Sequence, residues 1–292
     1  MSLIFILGIT GRSGTNYLYN LLLTHPDCEG SSLMAEDFII YGLDQLDKYT
    51  NKVASKWKKE WNYNPKMQSK LKKSLGKGIE GFLKNTSTSK CIVSKTPSTL
   101  NIDRFFDFFQ EAKLIIIIRD GKNVVESGVK SNFWNYEMGF HIWDKSAKRI
   151  LNFLKNNKPF SDRILLVKYE NLINSLSEEM ARVLDYCELD FDKYNMNKAK
   201  HTKILGSSTV KTKEKEFVWK VIPEKSNFNP LNRSLHWNKT LHYRYNRKCG
   251  DSTQKFGYST KHPKKGITYY LINLIWDVKY FYIIIKNKIK PI

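Results

Sequence analysis

Two apolar runs constrain the fold more than anything else in the chain: "SLIFILG" at residues 2–8 and "KLIIII" at 113–118. Neither alternates apolar with polar residues, so each needs apolar cover on both faces, as strands of a buried parallel sheet do. Each runs through a glycine-containing turn into a segment with apolar residues at helical spacing, "TNYLYNLLLTH" after the first and "KNVVESGVKS" after the second. "KCIVSKTP" and "RILLVKYENL" read as further strands that end in polar residues, and "RFFDFFQEA" and "HIWDKSAKRILNFLKNN" as helices. Strands alternating with helices imply a parallel sheet with right-handed crossovers. In such sheets ligands bind beyond the carboxyl ends of the strands, where the polar residues fall.

From about residue 44 to 90 the composition shifts to lysine, asparagine and serine with scattered aromatics, which predicts exposed helices inserted between core elements, with Pro65 as a break. Trp57 and Trp61, four apart in this basic insert, have the spacing of one helix face, which suits an apolar contact or an acceptor platform. Residues 202–259 show little periodicity and read as a long loop with short helices, a length at which loops are often functional. "ITYYLINLIWDVKYFYIII", 267–285, is interrupted by Asn273, Asp277 and Lys279, so it reads as a C-terminal helix packed on the domain, with peripheral membrane contact as the alternative. The expected organisation is one α/β domain over residues 1–260 carrying the insert, followed by a helical extension over 261–292.

A strand starting almost at the first residue leaves no room for an export signal, so the expected location is cytoplasmic, including the periphery of the inner face of a membrane. The four cysteines (Cys28, Cys91, Cys187, Cys249) form no C-x-x-C pair and no histidines cluster, so neither a zinc site nor a disulfide framework is expected. A net charge of +21 favours anionic partners but does not choose among nucleic acid, acidic lipid, acidic glycan and a polyanionic nucleotide.

The turn after the first strand narrows the choice. In "ILGITGRSGTNYLYNLLLTHPD" it is P-loop-like, yet Gly14 is followed by Thr15 where a nucleoside triphosphatase would carry lysine. What remains is Arg12, Ser13, Gly14, Thr15 and Asn16 at a helix N-terminus, where free N–H groups and the helix dipole favour a tetrahedral anion. Arg12 adds a planar cationic fork, and the polar side chains can donate hydrogen bonds. Glycine-containing turns of this kind are also often purely structural.

The loop resembles the 5′-phosphosulfate-binding loop of sulfotransferases that use 3′-phosphoadenosine 5′-phosphosulfate (PAPS). A second motif of that family follows in "KLIIIIRDGKNVVESGVKS", where Arg119 closes a strand and Ser127 lies eight residues on in the next helix. The resemblance covers about residues 3–258. "GRSGTNYLYNLLLTHPD", "AEDF" and "SKTP" are most similar to the branch containing the tyrosylprotein sulfotransferases and bacterial relatives, with Asn16 and Thr96 as departures from its pattern. The insert carries no such match.

The resemblance implies transfer of a sulfuryl group from PAPS to a hydroxyl acceptor (a glycan, a lipid-linked sugar or a small metabolite), with PAP as product, no metal, and no nucleic-acid partner. It implies Glu36 as the base, with Asp37 as competitor and His25 as a weaker alternative. Lys95 and Arg12 would be the cations at the leaving oxygen, and Arg119 and Ser127 would hold the 3′-phosphate, with Lys130 as a helper. It also implies that Tyr169 contacts the nucleotide and that Ser207 and Ser208, with Lys211 or Lys213, lie in a loop closing over it. Each residue has a plain structural reading as well: "AEDF" as the acidic start of a helix, Lys95 as a solvated lysine, Arg119 in a salt bridge, Tyr169 as a packing residue. Two other functions compete, a P-loop kinase-like phosphotransferase and a non-catalytic binder of nucleic acid or an anionic surface.

Overall fold

The computed structural model describes residues 2–31, 36–84, 87–204, 209–210, 217–218, 229–261 and 266–289. In chain order, β1 (Ser2–Gly8), α1 (Thr15–Leu22) and β2 (Cys28–Gly30) precede the insert, which consists of α2 (Leu43–Ala54) and α3 (Pro65–Lys84). The core resumes with β3 (Cys91–Thr96), α4 (Phe105–Phe108), β4 (Lys113–Ile118), α5 (Gly121–Lys130), α6 (Tyr136–Asn156) and β5 (Ile164–Lys168). Then come α7 (Tyr169–Asn174), α8 (Leu176–Tyr186), α9 (Met196–Lys200), the short antiparallel pair β6 (Thr209–Val210) and β7 (Phe217–Val218), α10 (Lys239–Lys255) and α11 (Ile267–Ile289).

Contacts divide the chain into two compact units, Met1–Arg119 with Arg149–Gly206 and Asp120–Lys148 with Ser207–Ile292. The first holds a five-stranded sheet in the order β2-β3-β1-β4-β5, parallel throughout. The α/β class with a parallel sheet, flanking helices, helical insert and C-terminal helix is as the sequence implies. β1 is central, with Ile6 opposite Lys95 of β3 on one side and Ile115 of β4 on the other. Ile4, Phe5, Ile6 and Leu7 are wholly buried, as are Ile115, Ile116 and Ile117, which explains the two uninterrupted apolar runs. Because the strand order reverses at β1, the carboxyl ends of β1, β3 and β4 open onto one crevice at the switch point.

Two local expectations are corrected, and that for Pro65 is met. "RFFDFFQEA" is helical only over Phe105–Phe108, because Phe105, Phe106, Phe108 and Phe109 are all buried and the segment has no solvated face for a longer surface helix. Phe5 packs edge-on to Phe105 at 5.2 Å, and Phe106 stacks on Phe160 at 4.2 Å. Pro65 does break the insert, by standing as the first residue of α3, where its missing N–H costs nothing. Trp57 and Trp61 share no helix face: Trp57 follows the end of α2 and packs on Tyr63 at 5.5 Å, and Trp61 sits exposed in a 3-10 turn, Lys59–Trp61.

The second unit is built on α5, α10, α11 and most of α6, around Phe140, Trp143, Trp237 and Tyr245. Arg244 is fully buried there. It donates to Glu137 at 2.6 and 2.8 Å and to Asp277 at 2.7 Å, so its charge is compensated within the unit.

Candidate active site

The turn after β1 is held by its own polar groups. Ser13 is fully buried and donates its hydroxyl to the Thr10 carbonyl at 2.7 Å, which leaves its backbone N–H as its contribution to an anion. Arg12 and Gly14 both have positive φ, 73° and 100°, and Gly14 stands as the cap of α1. Glycine has no side chain to satisfy the first-turn N–H groups, no side-chain cap bond is formed, and the first turn carries no acidic residue. The helix therefore presents uncapped donors and the positive end of its dipole. A Cβ on Gly14 would overlap the Tyr169 ring as well as force left-handed backbone on an L-residue. Gly14→Ala is expected to destabilise the protein by about 2–4 kcal/mol, readable as a lowered denaturant midpoint with unchanged slope.

Tyr169 and Arg119 lock this turn from the side. The chain leaves β5 at Lys168 and enters α7 at Tyr169, so this tyrosine begins a helix and does not extend the strand. Its ring is buried against Gly14, lies 6.1 Å from Tyr17, and carries the Arg119 guanidinium 4.4 Å above its centre. Arg119 Nη1 donates to the Arg12 carbonyl at 2.8 Å. The two motifs separated by more than a hundred residues thus meet directly: the arginine of the second fixes the loop of the first. Tyr169 packs loop and arginine together.

Across the crevice, at the end of β3, lies a carboxylate–ammonium cluster. Lys95 is buried. Its Nζ donates to the Asn16 Oδ1, stands 3.9 Å from Glu36 Oε1 and lies 5.0 Å above the Tyr19 ring. Burial lowers the Lys95 pKa, opposed by the charges of Glu36 and Asp37. Glu36 moves the other way: burial raises its pKa, Asp37 adds to the rise, and Lys95 and Arg12 restrain it. An acid and a base with pKa values displaced toward neutrality, a few ångströms apart in a crevice, are arranged for proton and charge transfer.

Asp37 is occupied otherwise. Its carboxylate accepts from Ser94 Oγ at 2.6 Å, Lys95 N–H at 3.2 Å, Thr96 Oγ1 at 3.2 Å and Ile39 N–H at 3.2 Å. With four donors on it, Asp37 ties the 36–39 segment to β3 and sets the position of its neighbour Glu36. His25 is buried with both ring nitrogens engaged: Nδ1 accepts from Asp27 N–H at 3.0 Å, so Nε2 carries the proton and donates to the Asp190 carbonyl at 2.9 Å. A ring fixed in that tautomer has no lone pair left for an acceptor.

Ser127 lies on the buried part of α5 and accepts at its carbonyl from Ser131 Oγ at 2.6 Å, and the Lys130 ammonium is ion-paired with Glu126 at 3.5 Å. Both belong to the second unit. Ser207, Ser208, Lys211 and Lys213 lie outside the described residues. Sequence reasoning missed two partners in the crevice: the Lys95–Asn16 bond, although Asn16 was singled out for the anion, and Tyr19, one helical turn beyond Thr15 in "TNYLYN".

Residues 3–193 match the model described as "Sulfotransferase family", and the chain belongs to that family. A Caenorhabditis briggsae protein named "Putative protein-tyrosine sulfotransferase" is 23% identical over 230 residues, 74% of each chain. Among solved structures, the "Sulfotransferase Domain from the Curacin Biosynthetic Pathway" has a TM-score of 0.54 at 18% identity, covering 88% of this chain and 98% of that one. The "Sulfotransferase Domain from the Synechococcus PCC 7002 Olefin Synthase" has a TM-score of 0.51 at 18% identity, covering 89% and 95%. At these identities the structural likeness establishes the fold. Family membership selects the sulfotransferase reading over the phosphotransferase and nucleic-acid readings, a choice that charge alone could not make. No helix among the described residues is long and apolar enough to cross a membrane.

Proposed function

We propose that this protein transfers the sulfuryl group of PAPS to an acceptor hydroxyl, with Glu36 as base and Lys95 and Arg12 as the cations that stabilise the leaving group. The observation that carries the reading is the juxtaposition of Glu36, Lys95 and Asn16 with the uncapped N-terminus of α1 beyond β1 and β3. The donors of the first unit suit a doubly phosphorylated nucleotide, with first-turn N–H groups and Arg12 for the 5′ end and Arg119 for the 3′-phosphate; Ser127 enters the proposal through its sequence motif alone. Bound PAPS would supply an electrophilic sulfur and a good leaving group, the 5′-phosphate of PAP.

Glu36, its pKa raised by burial and that rise restrained by Lys95 and Arg12, accepts the acceptor's hydroxyl proton as the new O–S bond forms. Lys95, fixed by Asn16 and Tyr19, meets the charge that grows on the leaving oxygen as the old S–O bond breaks. Arg12 adds a second cation from the loop side. The work of the protein in this scheme is positioning and charge stabilisation, as in phosphoryl transfer. In this reading the acceptor class is set by its hydroxyl alone: a protein, a glycan, a lipid-linked sugar or a small metabolite.

Calorimetric titration with PAP and, in parallel, ADP without magnesium tests the reading. PAP is expected to bind at least about tenfold more tightly than ADP, because only PAP offers the 3′-phosphate. Arg119→Ala should weaken PAP by about 1.5–3 kcal/mol, the range of a charged hydrogen bond. Equal affinity for the two nucleotides, or no PAP binding by folded protein, would overturn it.

A further inference from the structure

Helix α11 reverses the usual polarity of a surface helix. Two of its polar residues face inward: Asn273 is buried and accepts from Arg244, and Asp277 pairs with Arg244 at 2.7 Å, Lys248 at 3.4 Å and Arg247 at 3.7 Å. Tyr269 is buried against Tyr243, but the larger share of the helix's described apolar residues faces outward. Tyr270, Leu271, Leu274, Ile275, Val278 and Phe281 are each more than half exposed, and their spacing places them on one continuous stripe of the helix. A contiguous stripe of six large apolar side chains exceeds what a monomer ordinarily leaves in water.

The charge around the stripe identifies what covers it. Asp277 is the sole acidic residue in the helix, and it is consumed by three cations of α10. Lys279 is exposed at the border of the stripe, and the sequence adds Lys286 and Lys288 within the same helix. A symmetric pairing of two copies through this face would bring like-charged rims together. An acidic lipid surface would neutralise them, while the aliphatic stems of lysine lie along the apolar boundary.

We infer that α11 is an in-plane docking helix for a bilayer surface carrying acidic phospholipid headgroups. Its inner face is tied to α10 through Arg244, so the helix lies on the surface and does not stand across it. Tyr270, Leu271, Leu274 and Phe281 enter the headgroup–acyl boundary, and the lysines engage the headgroup phosphates and carboxylates. This inference is independent of the sulfuryl-transfer reading.

The test uses the full chain with sedimenting vesicles of phosphatidylcholine alone or with about a third phosphatidylserine. Binding is expected to be at least about tenfold stronger to the acidic vesicles and to weaken with salt. The double substitution Leu274→Asp and Val278→Asp should lower it by at least about tenfold with an unchanged circular dichroism spectrum. Wild-type protein that ignores acidic vesicles, or a folded double variant that binds them as well as wild type, overturns the inference. A lipid-free dimer broken by the same substitutions would assign the stripe to a second copy and also overturn it. Should the double variant fail to fold, Lys279→Glu replaces it: a loss of the preference for acidic vesicles supports the inference, and an unchanged preference overturns it.

Discussion

Glu36→Gln is expected to lower kcat by a factor of about 10²–10⁴, the range for removing a positioned general base, while PAP affinity changes by less than about threefold. The glutamine keeps the shape of the side chain and its place beside Lys95 but has no basic oxygen. Stability should move in the opposite direction. Burial raises the pKa of Glu36 in the folded state, so folding penalises the ionised form. The stability associated with the protonated carboxyl is fully present below the unfolded-state pKa and lost as pH rises through the folded-state value. At neutral pH the ionised Glu36 is therefore a cost, and Glu36→Gln is expected to unfold at a higher temperature than wild type, with the advantage vanishing in acid. Rising stability with falling turnover is the pattern of a functional residue held against its own preference. Steady-state kinetics, PAP titration and thermal melts at two pH values check all three parts. A variant with full turnover on an identified acceptor would remove Glu36 from the role of base, and Asp37, bound by four donors, would be a poor replacement.

The sheet was legible in the sequence because burial on both faces leaves a direct trace in composition. "LIFIL" and "LIIII" could not be surface strands, and the polar residues after them could fall only at the carboxyl ends. Arg119 and the loop residues from Arg12 to Asn16 were legible as strand-end groups for that reason, and Lys95 likewise after "CIV". The contacts among them were not. Arg119 spans to the Arg12 carbonyl because β4 lies next to β1 in the strand order, and pairing order is not written in either segment alone. The same holds for Cys28 and Cys91, well separated in sequence yet placed opposite each other by the parallel register of β2 and β3.

Burial of polar side chains was equally hidden. His25 and Asp37 look available in "THPD" and "AEDF", and only their hydrogen bonds show that both are committed to backbone geometry. The distinction between Glu36 and Asp37 depends on which carboxylate meets β3 head-on, and residues adjacent in sequence differ in that by a rotation of the backbone. Tyr169 follows "LLVK" directly, but its partners, Gly14 and Arg119, come from distant segments. In α11 the polar interruptions at Asn273 and Asp277 were visible, whereas the face they occupy was not. A helix packed on a domain normally turns its apolar stripe inward, and here buried Arg244 reverses the preference by demanding Asn273 and Asp277.

Lys95→Met should lower kcat by about 10²–10³, the loss found when one donor to a developing oxyanion is removed, and it should also reshape the pH profile. In wild type, the acid limb is expected to follow protonation of Glu36 and to lie above the usual carboxylate range, because burial raises that pKa. The alkaline limb is expected to follow deprotonation of Lys95 and to lie below the usual lysine range, because burial favours the neutral amine. Methionine has nearly the length of lysine and no charge. It withdraws the attraction that restrains the Glu36 pKa, so the acid limb must move to higher pH, and it removes the titrating amine, so the alkaline limb must disappear. A lysine that merely filled the crevice would change the amplitude and leave both limbs in place. The two movements are separable in one kcat/KM profile: a shifted acid limb reports the coupling of Lys95 to Glu36, and a lost alkaline limb reports the need for its charge. An acid limb that stays put in Lys95→Met would mean that the titrating group is not Glu36 and would return the base of the reaction to an unassigned residue.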